Sequence, residues 1–100
     1  MQTFDFNEEV QSIPPMSFWK GLIEKPNLEC GVINLKPGQP DTQNPHKMDE
    51  VYFIVQGDGY LNVNGVDIPI TDGKIIFVPK EIPHKFHGNT KPIKGFYALG

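Results

Sequence analysis

Three side chains in this sequence have the types and spacing to share one ion. In Asn44-Pro45-His46-Lys47-Met48-Asp49-Glu50, positions 44, 46, 48 and 50 have one parity. In an extended chain such positions project from one face. His46 and Glu50 therefore fall on the same side, with Tyr52 and Ile54 continuing the row. His84 opens a second short apolar run, with Phe86 on its face. Two imidazoles and one carboxylate are the donor set of a 2-His-1-carboxylate site, which leaves positions open for water or substrate. Iron(II), manganese(II), zinc and nickel all suit these donors, and residue types alone do not choose among such divalent transition metals. Other chemistry finds less support. His87 has the opposite parity to His84 and should face outward. Ser12 and Ser17 lack the strand-to-helix elbow of a nucleophilic serine. Cys30 reads as buried filler. Gly57-Asp58-Gly59 is a hairpin turn rather than a phosphate loop, because no helix follows it.

The elements that must position these residues are short strands. Ile and Val supply 17 residues, against five Leu and one Ala, and β-branched side chains fit a pleated surface. Strands are expected at 28–36, 50–56, 60–63, 66–70, 74–78, 84–87 and 93–99. Turn signals separate them, above all Asn64-Gly65, which favours a two-residue hairpin. Such spacing predicts an all-β sandwich or closed barrel. Residues 1–27 read as an extended arm ahead of a barrel domain at 28–100: a short strand near 3–6, a loop broken by Pro14-Pro15, then a strand at 18–23. On the inferred inner face, Tyr52, Ile54, Phe77 and Phe86 would line a substrate pocket, with Met48 beside the ligands.

Composition excludes several classes. One hundred residues allow one domain. Nine lysines, no arginine and twelve acidic residues give a net charge of −3. That balance disfavours nucleic acid, whose readers rely on basic patches and bidentate arginine. A single cysteine rules out an internal disulfide. Neither a membrane-spanning run nor a signal peptide is visible, so a cytoplasmic protein is expected. The apolar arm needs a surface to cover, either the barrel or a second subunit, and a homodimer is expected from it.

Residues 38–88 resemble the two motifs of the cupins. Gly38, five residues, Asn44-Pro45-His46, three residues, Glu50, six residues and Gly57 keep the spacing of the first motif. Gly73, five residues, Pro79-Lys80-Glu81, two residues, His84, three residues and Gly88 keep that of the second. The chain looks like a small single-domain cupin, and the resemblance implies a jelly-roll β-barrel. It also places His46, Glu50 and His84 at metal-ligand positions. Asn44 stands where the family has its first His, with Gln43 as a longer-reaching alternative. Glu81 replaces a family Gly, and Gly88 a family Asn. The implied function is that of a metal-dependent enzyme of dioxygenase, isomerase or lyase type, acting on a small organic molecule in the barrel. Tyr52 is the nearest candidate for a catalytic base. The alternative is a non-catalytic module that binds a metal or small molecule.

Overall fold

Alternating burial decides most of the architecture. In a computed structural model of residues 1–100, the chain forms one short helix and eight strands. They are α1 (Phe6–Gln11), β1 (Trp19–Lys25), β2 (Leu28–Leu35), β3 (Glu50–Gln56), β4 (Tyr60–Val63), β5 (Val66–Pro69), β6 (Ile75–Val78), β7 (His84–His87) and β8 (Ile93–Leu99). Along β3, Glu50, Tyr52 and Ile54 are buried while Val51, Phe53 and Val55 are exposed. Such a period of two is that of a strand with one face on a core.

All pairings are antiparallel. One sheet runs β1-β2-β8-β3-β6 and the other β5-β4-β7. Their inner faces share one core, in which Ile33, Leu35, Tyr52, Ile54, Ile93 and Leu99 from the larger sheet meet Leu61 and Phe86 from the smaller. This is the all-β arrangement expected from the strand pattern, with the jelly roll that the family resemblance implies. The last strand inserts between the second and third, pairing Gly31 with Tyr97 and Tyr97 with Tyr52. At the β4–β5 hairpin, Asn64 and Gly65 both take positive φ, at 50° and 89°, the requirement of a type I′ turn. No helix is long and apolar enough to cross a membrane.

The arm differs from expectation. Residues near 3–6 do not form a strand; α1 starts at Phe6 instead. Asp5 caps it, its carboxylate accepting from the Glu8 amide at 3.0 Å. Glu8 and Glu9 lie in the first turn, where the helix dipole favours acid. The helix lies on the outside of the larger sheet, where Val10 and Ile13 bury Val32 with help from Phe6 and Leu22. Lys20 of β1 reaches Glu9 at 2.8 Å and ties helix to strand.

Candidate metal centre

The site sits where two strands begin on opposite sheets. Glu50 is the first residue of β3 and His84 the first of β7. Strand β6 pairs with β3 in one sheet and β7 with β4 in the other, so residues 79–83 carry the chain across the barrel and bring His84 over Glu50. His84 Nε2 lies 2.8 Å from Glu50 Oε1, and His46 Nε2 lies 3.5 Å from the same oxygen. Glu50 and His84 are buried, while His46 is half-buried at the rim. One donor atom from each of the three falls within 4.8 Å of the others.

Two more polar atoms close this cluster. The Gln43 amide oxygen is 3.3 Å from His46 Nε2 and 3.1 Å from the Tyr52 hydroxyl. The Tyr52 hydroxyl is in turn 3.1 Å from His84 Nε2. The orientation of the Gln43 amide follows from Asp41, whose carboxylate accepts from Gln43 Nε2 at 2.7 Å. With its nitrogen committed there, the amide must turn its oxygen to the cluster. Asp41 also accepts from the backbone amides of Gln43 and Phe86, at 3.0 and 2.8 Å. It is a buried carboxylate that the sequence motifs do not mark.

His46 is held through its backbone. Its carbonyl accepts from the Glu81 amide at 2.6 Å. Glu81 has φ of 64°, so the residue replacing a family Gly still adopts the left-handed conformation that Gly takes most readily. His84 is held by its other ring nitrogen, with Nδ1 2.8 Å from the Ile82 carbonyl. A proton on Nδ1 leaves Nε2 facing the cluster, the arrangement that orients metal-ligating imidazoles.

The electrostatics follow from burial and from Glu50. Desolvation lowers the His84 pKa, but hydrogen bonds to Glu50 and the Ile82 carbonyl, with the charges of Glu50 and Asp41, outweigh it and hold the group above its ordinary value. Burial first, and then Glu50, push Tyr52 well above the ordinary phenol range. These effects favour the neutral phenol, whose hydroxyl donates to the Gln43 amide oxygen. Tyr97 is pushed up to about 12, chiefly by burial.

A cavity of about 260 Å³ opens beside the cluster. Gln43, His46, Glu50, Tyr52 and Phe86 line it on the cluster side. Trp19, Glu24, Glu29, Ile33 and Tyr97 line the wall formed by β1, β2 and β8. Motif spacing alone did not reach this second group, because β8 places it next to β3 through pairings remote in sequence.

Several expected site residues lie elsewhere. Asn44 is exposed and does not line the cavity, whereas Gln43 does. The parity rule fails there because residues 40–46 form a loop and not a strand. Phe77 points outward at 59% exposure, opposite Val51 on the outer face. It lies between Ile76 and Val78, which alternate with it and face inward. Ile54 and Met48 pack in and against the core and do not line the cavity. His87, expected to face outward, does so: it is exposed, pairs with Asp67 at 2.8 Å and stacks on Tyr60.

Comparison with known proteins agrees with this geometry. A family model described as the cupin domain matches residues 31–96. An uncharacterized protein of Streptomyces coelicolor is 35% identical over 66 residues, which cover 66% of this chain and 63% of that protein. A 5-nitrosalicylic acid 1,2-dioxygenase of a Bradyrhizobium species is 41% identical over 46 residues, covering 46% of this chain and 22% of the enzyme. This chain thus matches less than two thirds of the length of either curated relative. Among solved structures, a double-stranded beta-helix protein from Klebsiella pneumoniae superposes with a TM-score of 0.82 at 14% identity, covering 100% of this chain and 90% of that one. The family match spans more than half of the sequence and includes both strand starts that carry His84 and Glu50, so the chain belongs to the cupin domain family.

Proposed function

We propose that His46, Glu50 and His84 hold one divalent transition metal, with the Gln43 amide oxygen beside them. The protein is then a metal-dependent enzyme for a small organic molecule in the adjoining cavity. The observation that carries this reading is the convergence of three donor atoms within 4.8 Å, two of which, those of His46 and Glu50, belong to residues lining that cavity. The donor chemistry fits: ligands each ~2.1 Å from one ion stand about 3 Å apart, and the Glu50–His84 and Glu50–His46 separations are 2.8 and 3.5 Å. His84 is oriented from behind by Ile82, and Gln43 by Asp41.

When bound, such an ion supplies a Lewis acid for a substrate oxygen and, if iron, a redox centre for dioxygen. The chain's own groups define the rest. Tyr52 offers a phenol proton to an oxygen beside the cluster. Phe86, Ile33 and Leu99 form apolar wall that keeps water from that position. The stretch similar to a dioxygenase supports the oxygenase form of this reading; isomerase or lyase chemistry is its counterpart with a redox-inert ion. Elemental analysis of protein purified without chelator tests it. About one equivalent of a transition metal is expected, falling to below ~0.1 in His84→Ala. Substoichiometric metal in the parent protein, or unchanged metal in the variant, overturns the reading.

The homodimer remains part of this proposal but on a different surface from the arm. Helix α1 covers the outer face of β2 within its own chain. The apolar surface left bare is the outer face of β3, β6 and β8, with Val51, Phe53, Val55, Ile75, Phe77 and Phe96 exposed on it.

A further inference from the structure

The wall of the cavity remote from the metal cluster has a composition that the fold does not explain. Cross-strand register places Glu24 opposite Glu29, Glu29 opposite Leu99, and Leu99 opposite Glu50. These residues form one row across β1, β2, β8 and β3, and all four line the cavity. Like charges directly opposite on neighbouring strands destabilise a sheet. Neither Glu24 nor Glu29 is ion-paired with a lysine. No lysine lines the cavity at all, and its acidic residues are three glutamates.

Two further features share this wall. Trp19 lines the cavity while 51% exposed, an unusual place for the chain's single tryptophan. It meets Glu24 over Gly21, where an added Cβ would stand 2.6 Å from the Glu24 carboxylate oxygen and 3.7 Å from the indole. Tyr97, in the next row, is only 9% exposed and lines the same cavity. Its hydroxyl makes no hydrogen bond within the protein and is not fully buried, so it is open to a partner in the cavity. Space for it exists only because residue 31 is glycine: a Cβ there would lie 2.5 Å from the Tyr97 oxygen. An unpaired donor, an indole face and two unneutralised carboxylates therefore converge on one end of an otherwise apolar pocket. Carboxylates beside an indole are the chemistry that recognises an ammonium group.

We propose that the cavity selects a small amine: a cationic ammonium held by Glu24, Glu29 and the Trp19 face, an apolar body beside Tyr97, and the reacting end at the His46–Glu50–His84 cluster. The inference deepens the substrate-site reading given above and rests on it. Glu29 is two strand spacings from Glu50, roughly 10 Å, which one ring with a short alkyl linker spans. Tyr97 is a positioning residue whose hydroxyl donates to an oxygen acceptor where the molecule carries one next to its otherwise apolar body. A carboxylate-bearing ligand would meet the acidic end unfavourably.

Three probes of one size and different charge test this: 2-phenylethylamine, 2-phenylethanol and phenylacetate. Trp19, as sole tryptophan, reports binding at the mouth by its fluorescence, with calorimetry as a check. At low ionic strength the amine should bind at least ~10-fold tighter than the alcohol, with phenylacetate weakest. In the Glu24→Gln/Glu29→Gln double variant, amine and alcohol should agree within about 2-fold. Tyr97→Phe should weaken probes that carry an oxygen acceptor, the alcohol above all, by ~3–10-fold. Phenylacetate binding as tightly as the amine, an amine preference that survives in the double variant, or no amine binding at ~10 mM overturns the proposal. Unchanged alcohol binding in Tyr97→Phe overturns that residue's role. Measuring the probes with chelator present, and metal uptake separately, distinguishes the two readings. Amine preference without metal uptake sinks the metal site alone, whereas full metal uptake without amine preference sinks the amine assignment alone.

Discussion

Asp41 is the residue on which the Gln43 amide depends. Its carboxylate accepts from Gln43 Nε2 and from the Gln43 and Phe86 backbone amides. Asp41→Asn would set an amide NH₂ against one of those donors and leave a buried group unpaired, at a cost of about 1–3 kcal/mol. With its orienting partner gone, Gln43 no longer holds its oxygen at the cluster. Metal affinity, read by chelator competition, should fall about 10-fold or more, the scale of orienting partners behind metal ligands. An unchanged affinity would remove Gln43 from the site. Asp41 shows a limit of motif reading. His46, Glu50 and His84 could be picked out because spacing and side-chain chemistry single them out. Asp41 could not, because its importance comes from three partners supplied by folding.

At the scale of elements, two turns carry testable consequences. The turn after β6 holds Glu81 at φ 64° while its amide bonds the His46 carbonyl. Glu81→Gly should relieve the left-handed strain, with a net gain of about 0.5–1 kcal/mol once glycine's greater freedom in the unfolded chain is deducted. A urea midpoint that does not rise would contradict this. The turn between β3 and β4 holds Asp58, which bonds the Thr90 hydroxyl and the backbone amides of Thr90 and Lys91. Those bonds, the Thr90 hydroxyl first, hold its carboxyl below the ordinary carboxylate range although the residue is only partly buried. A depressed folded pKa contributes stability that is present above the unfolded value and is lost as pH falls through the folded one. The parent and Asp58→Asn should therefore differ in stability at neutral pH and converge below about pH 4. A pH-independent difference between them would mean the carboxylate charge is not what the turn uses. The strands and the Asn64-Gly65 hairpin were legible because their signals are local. The helix was not expected, although Asp5 and Glu8 have the spacing of a cap. Six residues are too few for periodicity to outweigh the strand-like Phe4 and Phe6.

For the whole molecule, the question is which surface a second copy would cover. The bare face of β3, β6 and β8 sets six exposed apolar side chains side by side, the kind of patch that marks an interaction surface. Light scattering should show a dimer that becomes monomer in Phe53→Glu/Phe77→Glu while far-ultraviolet dichroism stays the same. Deleting residues 1–12 should leave the dimer but lower stability, because Val32 and Ile13 lose the cover of Val10 and Phe6. Dimerisation lost with the arm and kept in the face variant would return the interface to the arm.

By itself, the sequence determined which side chains can donate to a metal, where most strands run and which turns join them. Period, turn chemistry and motif spacing act over a few residues and survive without knowledge of the fold. Only the tertiary structure decided that Gln43 and not Asn44 faces the cluster, because a loop obeys no strand parity. It alone decided that Glu24, Glu29 and Glu50 share one row. That row exists because β8 enters between β2 and β3 and sets residues far apart in the chain side by side, a choice made by the burial of two sheet faces together.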